Sequence, residues 1–321
     1  MVEAAGVIAD SLEVMVPSFT SRVVVPGFLR ATRANRALIS AEGARERIRE
    51  RTLRPLPYGP PRRLRSDVSV SVDREPGWPV YTVAPKSGRA RGCVVYTHGG
   101  AWVNEIAPQH WSLAADIAAL AGTTVVVPIY PLVPFGTAGQ VIPAIADLVL
   151  ANRSRHGDVC LGGDSAGGQI ALSTAVALRD EHRITLPRTV LISPSLDLSM
   201  SNPEMDVVQP SDPWLGKPGA RVLIDAWRAD LPLSDPRVSP LAADLAGLGP
   251  LTIFCGTRDI LVPDTRLLVE KARTAGVDVD YHEQHGLVHV YPLTPTPEGR
   301  AARRVIVDSL RGAFSPSSPT R

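Results

Sequence analysis

Val159-Cys160-Leu161-Gly162-Gly163-Asp164-Ser165-Ala166-Gly167-Gly168 runs from a short apolar strand into a glycine-rich turn. Beyond it, Gln169 to Leu178 reads as a helix rich in Ala and β-branched residues. Within this stretch Gly163-Asp164-Ser165-Ala166-Gly167 fits the pattern G-x-S-x-G. A serine on so sharp a strand-to-helix turn takes a strained backbone, and side chains two residues to either side would collide. The helix N-terminus then turns its positive end toward Ser165, which favours an anionic intermediate. A glycine-rich strand–helix turn can equally cradle a phosphate, so the pattern takes its meaning from its surroundings. Asp164 is excluded as the acid of a triad, because adjacent residues do not converge on one imidazole.

Outward from this turn, apolar strands and helices alternate. Val68 to Val72 and Val80 to Ala84 alternate as an edge hairpin would. Cys93 to Tyr96, Thr124 to Val127, Val159 to Leu161, Thr189 to Ile192, Leu251 to Phe254 and Val277 to Tyr281 read as strands. Helices are expected over Gln109 to Leu120, Val141 to Leu150 (with Pro143 in its first turn), Thr265 to Ala275, and from Pro297 behind Thr296 as N-cap. Short non-alternating apolar strands separated by helices predict an α/β fold with a mostly parallel sheet covered on both faces. Two regions break this rhythm. Residues 1–65 hold Arg-rich helical segments, such as Ala41 to Leu53, and end in a Pro-rich connector. Residues 195–235 are rich in Pro, Ser, Asp and Trp and read as an insertion that covers something.

Composition narrows the function classes. The 321 residues carry 34 basic and 32 acidic side chains, a net charge of +2, so nothing asks for nucleic acid or an anionic membrane. The lysines are Lys86, Lys217 and Lys271 alone, the remaining basic residues being arginine, which points to coding bias rather than a binding surface. Cys93, Cys160 and Cys255 are scattered, odd in number and set in apolar runs, which suits small core residues rather than disulfides or metal ligands. No apolar run approaches the ~20 residues of a membrane span, and the first residues do not read as a signal peptide. The expectation is a soluble cytoplasmic protein without a transmembrane segment.

Three further loops bear on Ser165. His98-Gly99-Gly100-Ala101-Trp102 follows an apolar strand, where small residues let backbone N–H groups face a substrate. The N–H groups of Gly99, Gly100 and Ala101, with that of Ala166, are the candidate oxyanion hole. His98 is expected to hold the loop rather than to act as base. Asp259, just after the Leu251 to Phe254 strand, is the candidate acid, while its rival Asp264 reads as the N-cap of the following helix. Of three clustered histidines, His282 belongs to a strand, His285 precedes a turn glycine, and His289 past the turn is the candidate base. The cluster lacks metal-ligand spacing. His110, His156 and His182 read as surface or capping residues.

These segments together resemble the hormone-sensitive-lipase-like branch of the α/β hydrolases, the GDXG esterases. Gly163-Asp164-Ser165-Ala166-Gly167-Gly168 is similar to its nucleophile motif, His98-Gly99-Gly100-Ala101 to its HGGG motif, and Tyr130-Pro131-Leu132-Val133-Pro134 to its Y-x-L-A-P segment. Gly256 to Leu261 and Gly286 to His289 match the acid and base loops, and the likeness runs from about Val68 to the C-terminus. Ala101 departs from the third glycine and Phe135 from a frequent Glu. The resemblance implies an α/β-hydrolase fold, with a twisted central sheet of about eight strands, flanking helices and a helical cap. It divides the chain into a cap segment 1–65 and a catalytic domain 66–321 carrying the cap insertion 195–235. It implies hydrolysis of a carboxylic ester, with no cofactor and no metal.

The expected mechanism has His289, oriented by Asp259, deprotonate Ser165 for attack on short- to medium-chain esters or a lactone. Met15, Phe19, Phe28, Trp214, Leu215 and Trp227 are candidates for an acyl pocket. The partner is a small-molecule ester, and a homodimer is compatible with the sequence. Two alternatives stay open: an amidase or formamide hydrolase on the same triad, and a ligand-binding protein that has lost turnover.

Overall fold

The computed structural model describes residues 17–75 and 77–315. The eight strands are β1 (Val68–Asp73), β2 (Val80–Pro85), β3 (Cys93–Thr97), β4 (Thr124–Pro128), β5 (Val159–Asp164), β6 (Thr189–Ile192), β7 (Leu251–Gly256) and β8 (Val279–Gln284). They form one sheet in the order β1-β2-β4-β3-β5-β6-β7-β8. The β1–β2 and β2–β4 pairs are antiparallel and all others parallel. The expected α/β-hydrolase architecture is therefore present. Strands β3 to β7 are buried along their whole length, because helices cover both faces. Edge strand β1 buries only Val68.

The helices are α1 (Val25–Ala31), α2 (Arg36–Ile39), α3 (Ala41–Leu53), α4 (Pro108–Asp116), α5 (Ala138–His156), α6 (Ala166–His182), α7 (Glu204–Val208), α8 (Lys217–Arg228), α9 (Val262–Thr274) and α10 (Pro297–Ala313). None among the described residues is long and apolar enough to cross a membrane. Helix α5 starts three residues earlier than the apolar spacing suggests, so Pro143 lies inside it rather than in its first turn. The cause is Ala138, which is fully buried and extends the packed face upstream. Thr296 caps α10 as expected, its Oγ1 accepting the Gly299 N–H at 3.1 Å. The three cysteines are free and buried.

The chain leaves β3 toward β4 on one side and returns to β5 on the other, so the strand order reverses between β3 and β5. In such sheets the crevice at the carboxyl ends of the strands, where the order reverses, is where ligands sit. The loops after β3, β5, β7 and β8 all emerge at that edge. The irregular segment 195–235 contributes α7 and α8, and α8 buries Leu223, Ile224 and Trp227. Helices α2 and α3 pack against α8, so the two regions that break the α/β rhythm meet one another.

Candidate active site

Ser165 follows β5 directly and precedes the first turn of α6, with φ 52° and ψ −118°. The neighbouring glycines make this turn possible. A Cβ on Gly167 would lie 2.0 Å from the Thr97 carbonyl oxygen, and one on Gly163 would lie 2.2 Å from that of Gly167. The Ser165 N–H is held by the Ile192 carbonyl at 2.8 Å, which fixes the turn against β6.

The fold brings Ser165, His289 and Asp259 into a line. His289 Nε2 lies 2.9 Å from Ser165 Oγ, and its Nδ1 lies 2.7 Å from Asp259 Oδ2. A carboxylate only accepts, so Nδ1 carries the hydrogen and Nε2 is free to accept from the serine hydroxyl. Burial disfavours a charged His289, but the Asp259 charge and hydrogen bond outweigh it and raise its pKa above the ordinary histidine value. Asp259 Oδ1 accepts the Leu261 N–H at 2.9 Å. The Ser193 hydroxyl accepts the Val290 N–H at 3.0 Å and pins the base loop to the end of β6. Trp214 stands edge-on to the His289 ring with centroids 5.7 Å apart.

The loop after β3 turns through Gly100 (φ 125°), Ala101 (φ 52°) and Trp102 (φ 56°). The N–H groups of Gly100 and Ala101 have no acceptor among the described residues. Ala166, first in α6, has an N–H without an intrahelical partner. Gly99 is different, and this corrects the expectation. Its N–H is bonded to Asp164 Oδ1 at 2.9 Å and is not available to a substrate. The buried Asp164 carboxylate needs donors, and Gly99 supplies one of them.

Asp164 is a structural hub that the sequence reading left without a role. Its Oδ1 also accepts Tyr96 Oη–H at 2.7 Å, and its Oδ2 faces His110 Nε2 at 3.2 Å. Burial pushes its pKa up, yet His110, Tyr96 and the Gly99 N–H outweigh burial and hold the carboxyl below its ordinary value. Of the two readings of His110, surface or capping, the second holds. It is buried, and its Nδ1 accepts the Ala107 N–H at 2.9 Å, capping α4 from inside the core. His98 donates from Nδ1 to the Gly99 carbonyl at 2.7 Å and stacks on Tyr130 at 4.6 Å. Burial, then His110, lowers its pKa to about 4, so it stays neutral. Phe135 is exposed.

Asp264 is not an N-cap. It lies in the first turn of α9, buried, with Oδ1 accepting from Asn202 Nδ2 at 2.9 Å. Two other residues near the site had no sequence signal. Gln169 on α6 accepts from Trp102 Nε1 at 3.2 Å and Trp227 Nε1 at 3.0 Å, joining the β3 loop to α8. Asp212 accepts the N–H groups of Trp214 (2.8 Å), Leu215 (2.9 Å) and Ile260 (2.9 Å), clipping the irregular segment to the residue after Asp259. Burial, then the Asp259 charge, raises the Asp212 pKa to about 6.

Two cavities meet at Ser165. One of about 50 Å³ is apolar, lined by Trp102, Leu198, Met200, Leu215 and Ile224. The other, of about 330 Å³, holds His289, Trp214 and Leu223 beside Arg33, Arg47 and Glu105. Of the apolar residues expected to line a pocket, Trp214 and Leu215 do so. Trp227 is core, Phe19 and Phe28 face solvent, and Met15 lies outside the described residues.

A family described as alpha/beta hydrolase fold matches residues 94–293. A triacylglycerol lipase of Mycobacterium tuberculosis is 35% identical over 209 residues, spanning 64% of this chain and 43% of the lipase. An esterase of Acinetobacter venetianus is 30% identical over 198 residues, 60% of this chain and 65% of that protein. The chain thus spans under two thirds of the length of these relatives. The crystal structure of an esterase from the bacterial hormone-sensitive lipase family superposes with a TM-score of 0.78 at 26% identity, covering 94% of this chain and all of that one.

Proposed function

The chain belongs to the α/β-hydrolase fold family, and on that premise we propose that it is a serine hydrolase of carboxylic esters with a short acyl group. The observation that carries the reading is the Ser165–His289–Asp259 line, at 2.9 and 2.7 Å, set where two cavities meet. His289 Nε2 takes the Ser165 proton as Oγ bonds to the carbonyl carbon. The Gly100, Ala101 and Ala166 N–H groups stabilise the oxyanion. His289 then returns the proton to the leaving oxygen as the carbon–oxygen bond breaks, and water repeats the sequence on the acyl-enzyme.

The leaving oxygen must reach His289, which lines the larger cavity and not the smaller. The alcohol therefore occupies the larger space and the acyl chain the smaller. At about 50 Å³ the latter has room for roughly two to four water-sized groups, an acyl chain of about two to four carbons. Residues 17–65 and 195–235 form the cap in this reading, since helices from both meet above Ser165 and contribute lining residues. The names of the lipase and esterase relatives support ester hydrolysis. The test is a panel of esters of rising acyl length, with Ser165→Ala as control. Turnover should peak at short acyl chains and vanish in the variant, with a fluorophosphonate probe labelling only the wild type. Undiminished hydrolysis by Ser165→Ala would sink the proposal.

A further inference from the structure

The helical run from Phe19 to Ala31 has two unlike faces. Its inner side is fixed to the body. Ser21 Oγ donates to Glu298 Oε2 at 2.7 Å, Ser18 Oγ donates to the same atom at 3.0 Å, and Leu29 is buried. Its outer side is apolar and open. Phe19 is 72% exposed, Phe28 65%, Val23 50% and Val24 49%. Phe19 and Val23, and Val24 and Phe28, are each four residues apart, and a helix this well anchored gains nothing from showing them to water. The chain as a whole is near neutral and its arginine content reads as coding bias, but along this segment the charge has one sign. From Pro17 to Ala41 the chain carries Arg22, Arg30, Arg33 and Arg36 and no acidic residue. Arg30 adds to the positive field at Arg258, lowering the Arg258 pKa after burial. Directly after the run, Thr32, Arg33, Ala34 and Ala37 line the larger cavity that opens onto Ser165.

We propose that the outer face of Phe19–Ala31 is a docking surface for an anionic lipid bilayer, set at the mouth of the Ser165 cavity. Exposed aromatic and aliphatic side chains interleaved with arginine are what an interfacial helix needs. The apolar groups enter the acyl boundary while the guanidinium groups meet phosphate headgroups. A protein partner would explain the apolar face, but Arg22 and Arg30 beside it, with Arg33 and Arg36 following and no acid among residues 17–41, favour a surface of dense negative charge. Docked this way, the protein turns its cavity mouth toward the bilayer, so that an amphiphilic ester would reach it from the membrane side. The docking itself does not rest on the hydrolytic reading.

The test is flotation of the full chain with vesicles of mixed phosphatidylglycerol and phosphatidylcholine, against vesicles of phosphatidylcholine alone. Binding is expected to the anionic vesicles and to weaken as salt rises. Phe19→Ser with Phe28→Ser, and separately Arg22→Gln with Arg30→Gln, should each weaken binding by roughly tenfold or more. Both pairs should leave hydrolysis of a water-soluble short ester unchanged, which also reports that they fold. Three results overturn the proposal: a full chain that stays free of anionic vesicles; variants that bind as the wild type does; or a dimer, seen by light scattering, that Phe19→Ser with Phe28→Ser dissociates while vesicle binding is absent. If vesicles bind but no ester is turned over, the docking stands and the hydrolase reading fails.

Discussion

Gln169→Leu is expected to cost this protein about 2–6 kcal/mol, although leucine nearly matches glutamine in volume and opens no cavity. Gln169 is fully buried, and its amide oxygen is the shared acceptor of two buried indoles, Trp102 at 3.2 Å and Trp227 at 3.0 Å. An indole nitrogen only donates, so the oxygen must face both rings and the amide nitrogen must face away. That nitrogen donates to Ser173 Oγ at 3.0 Å and the Arg237 carbonyl at 2.7 Å. Leucine leaves both indole N–H groups buried without an acceptor, at about 1–3 kcal/mol each. Against a total stability of roughly 5–15 kcal/mol, that is a large share. Trp102 adjoins Ala101 in the proposed oxyanion loop and stacks on Trp227 of α8 at 5.7 Å, so turnover should fall along with stability. Urea unfolding followed by tryptophan fluorescence, with kcat measured well below the transition, provides the assay. Trp227→Phe removes one donor and should cost about 1 kcal/mol in the wild type. In the Gln169→Leu background it should cost less, because that donor is already unpaired, giving a coupling of about 0.5–3 kcal/mol. A Gln169→Leu loss under about 1 kcal/mol, or strict additivity in the cycle, would refute the shared-acceptor argument.

Asp212→Asn removes a negative charge that helps raise the His289 pKa. Activity requires neutral His289, so the acid limb of the kcat/KM–pH profile should move to lower pH, and an unmoved limb would mean that Asp212 acts only by holding its loop. Ile224→Ala, in the wall of the smaller cavity, should destabilise by about 2–5 kcal/mol. The same variant should shift preference toward longer acyl chains in the ester panel, and an unchanged chain-length profile would remove that cavity from the acyl role.

Much of the fold was legible because its signals are local. The apolar runs of β3 to β7, the G-x-S-x-G turn and the Thr296 cap each depend on a few consecutive residues and on the backbone angles they can adopt. The order of the Ser165, Asp259 and His289 loops, each just after a strand, was legible for the same reason: parallel strands deliver their following loops to one edge. Start points such as that of α5 were less so, because Ala138 extends the helix through core packing rather than through its own pattern.

What only the tertiary structure decided is how polar groups distant in the chain pair inside the core. Asp164 takes the Gly99 N–H from 65 residues away and so removes it from the candidate oxyanion donors. Asp212 reaches Ile260 across 48 residues, and Gln169 reaches Trp227 across 58. His110 read as a surface or capping residue, and only the fold shows that it caps from inside the core with Asp164 as a buried partner at 3.2 Å. A buried polar group takes whichever donor or acceptor the packed chain brings within about 3 Å. That choice is set by strand register and helix contact, and neighbouring residues in the sequence carry no trace of it.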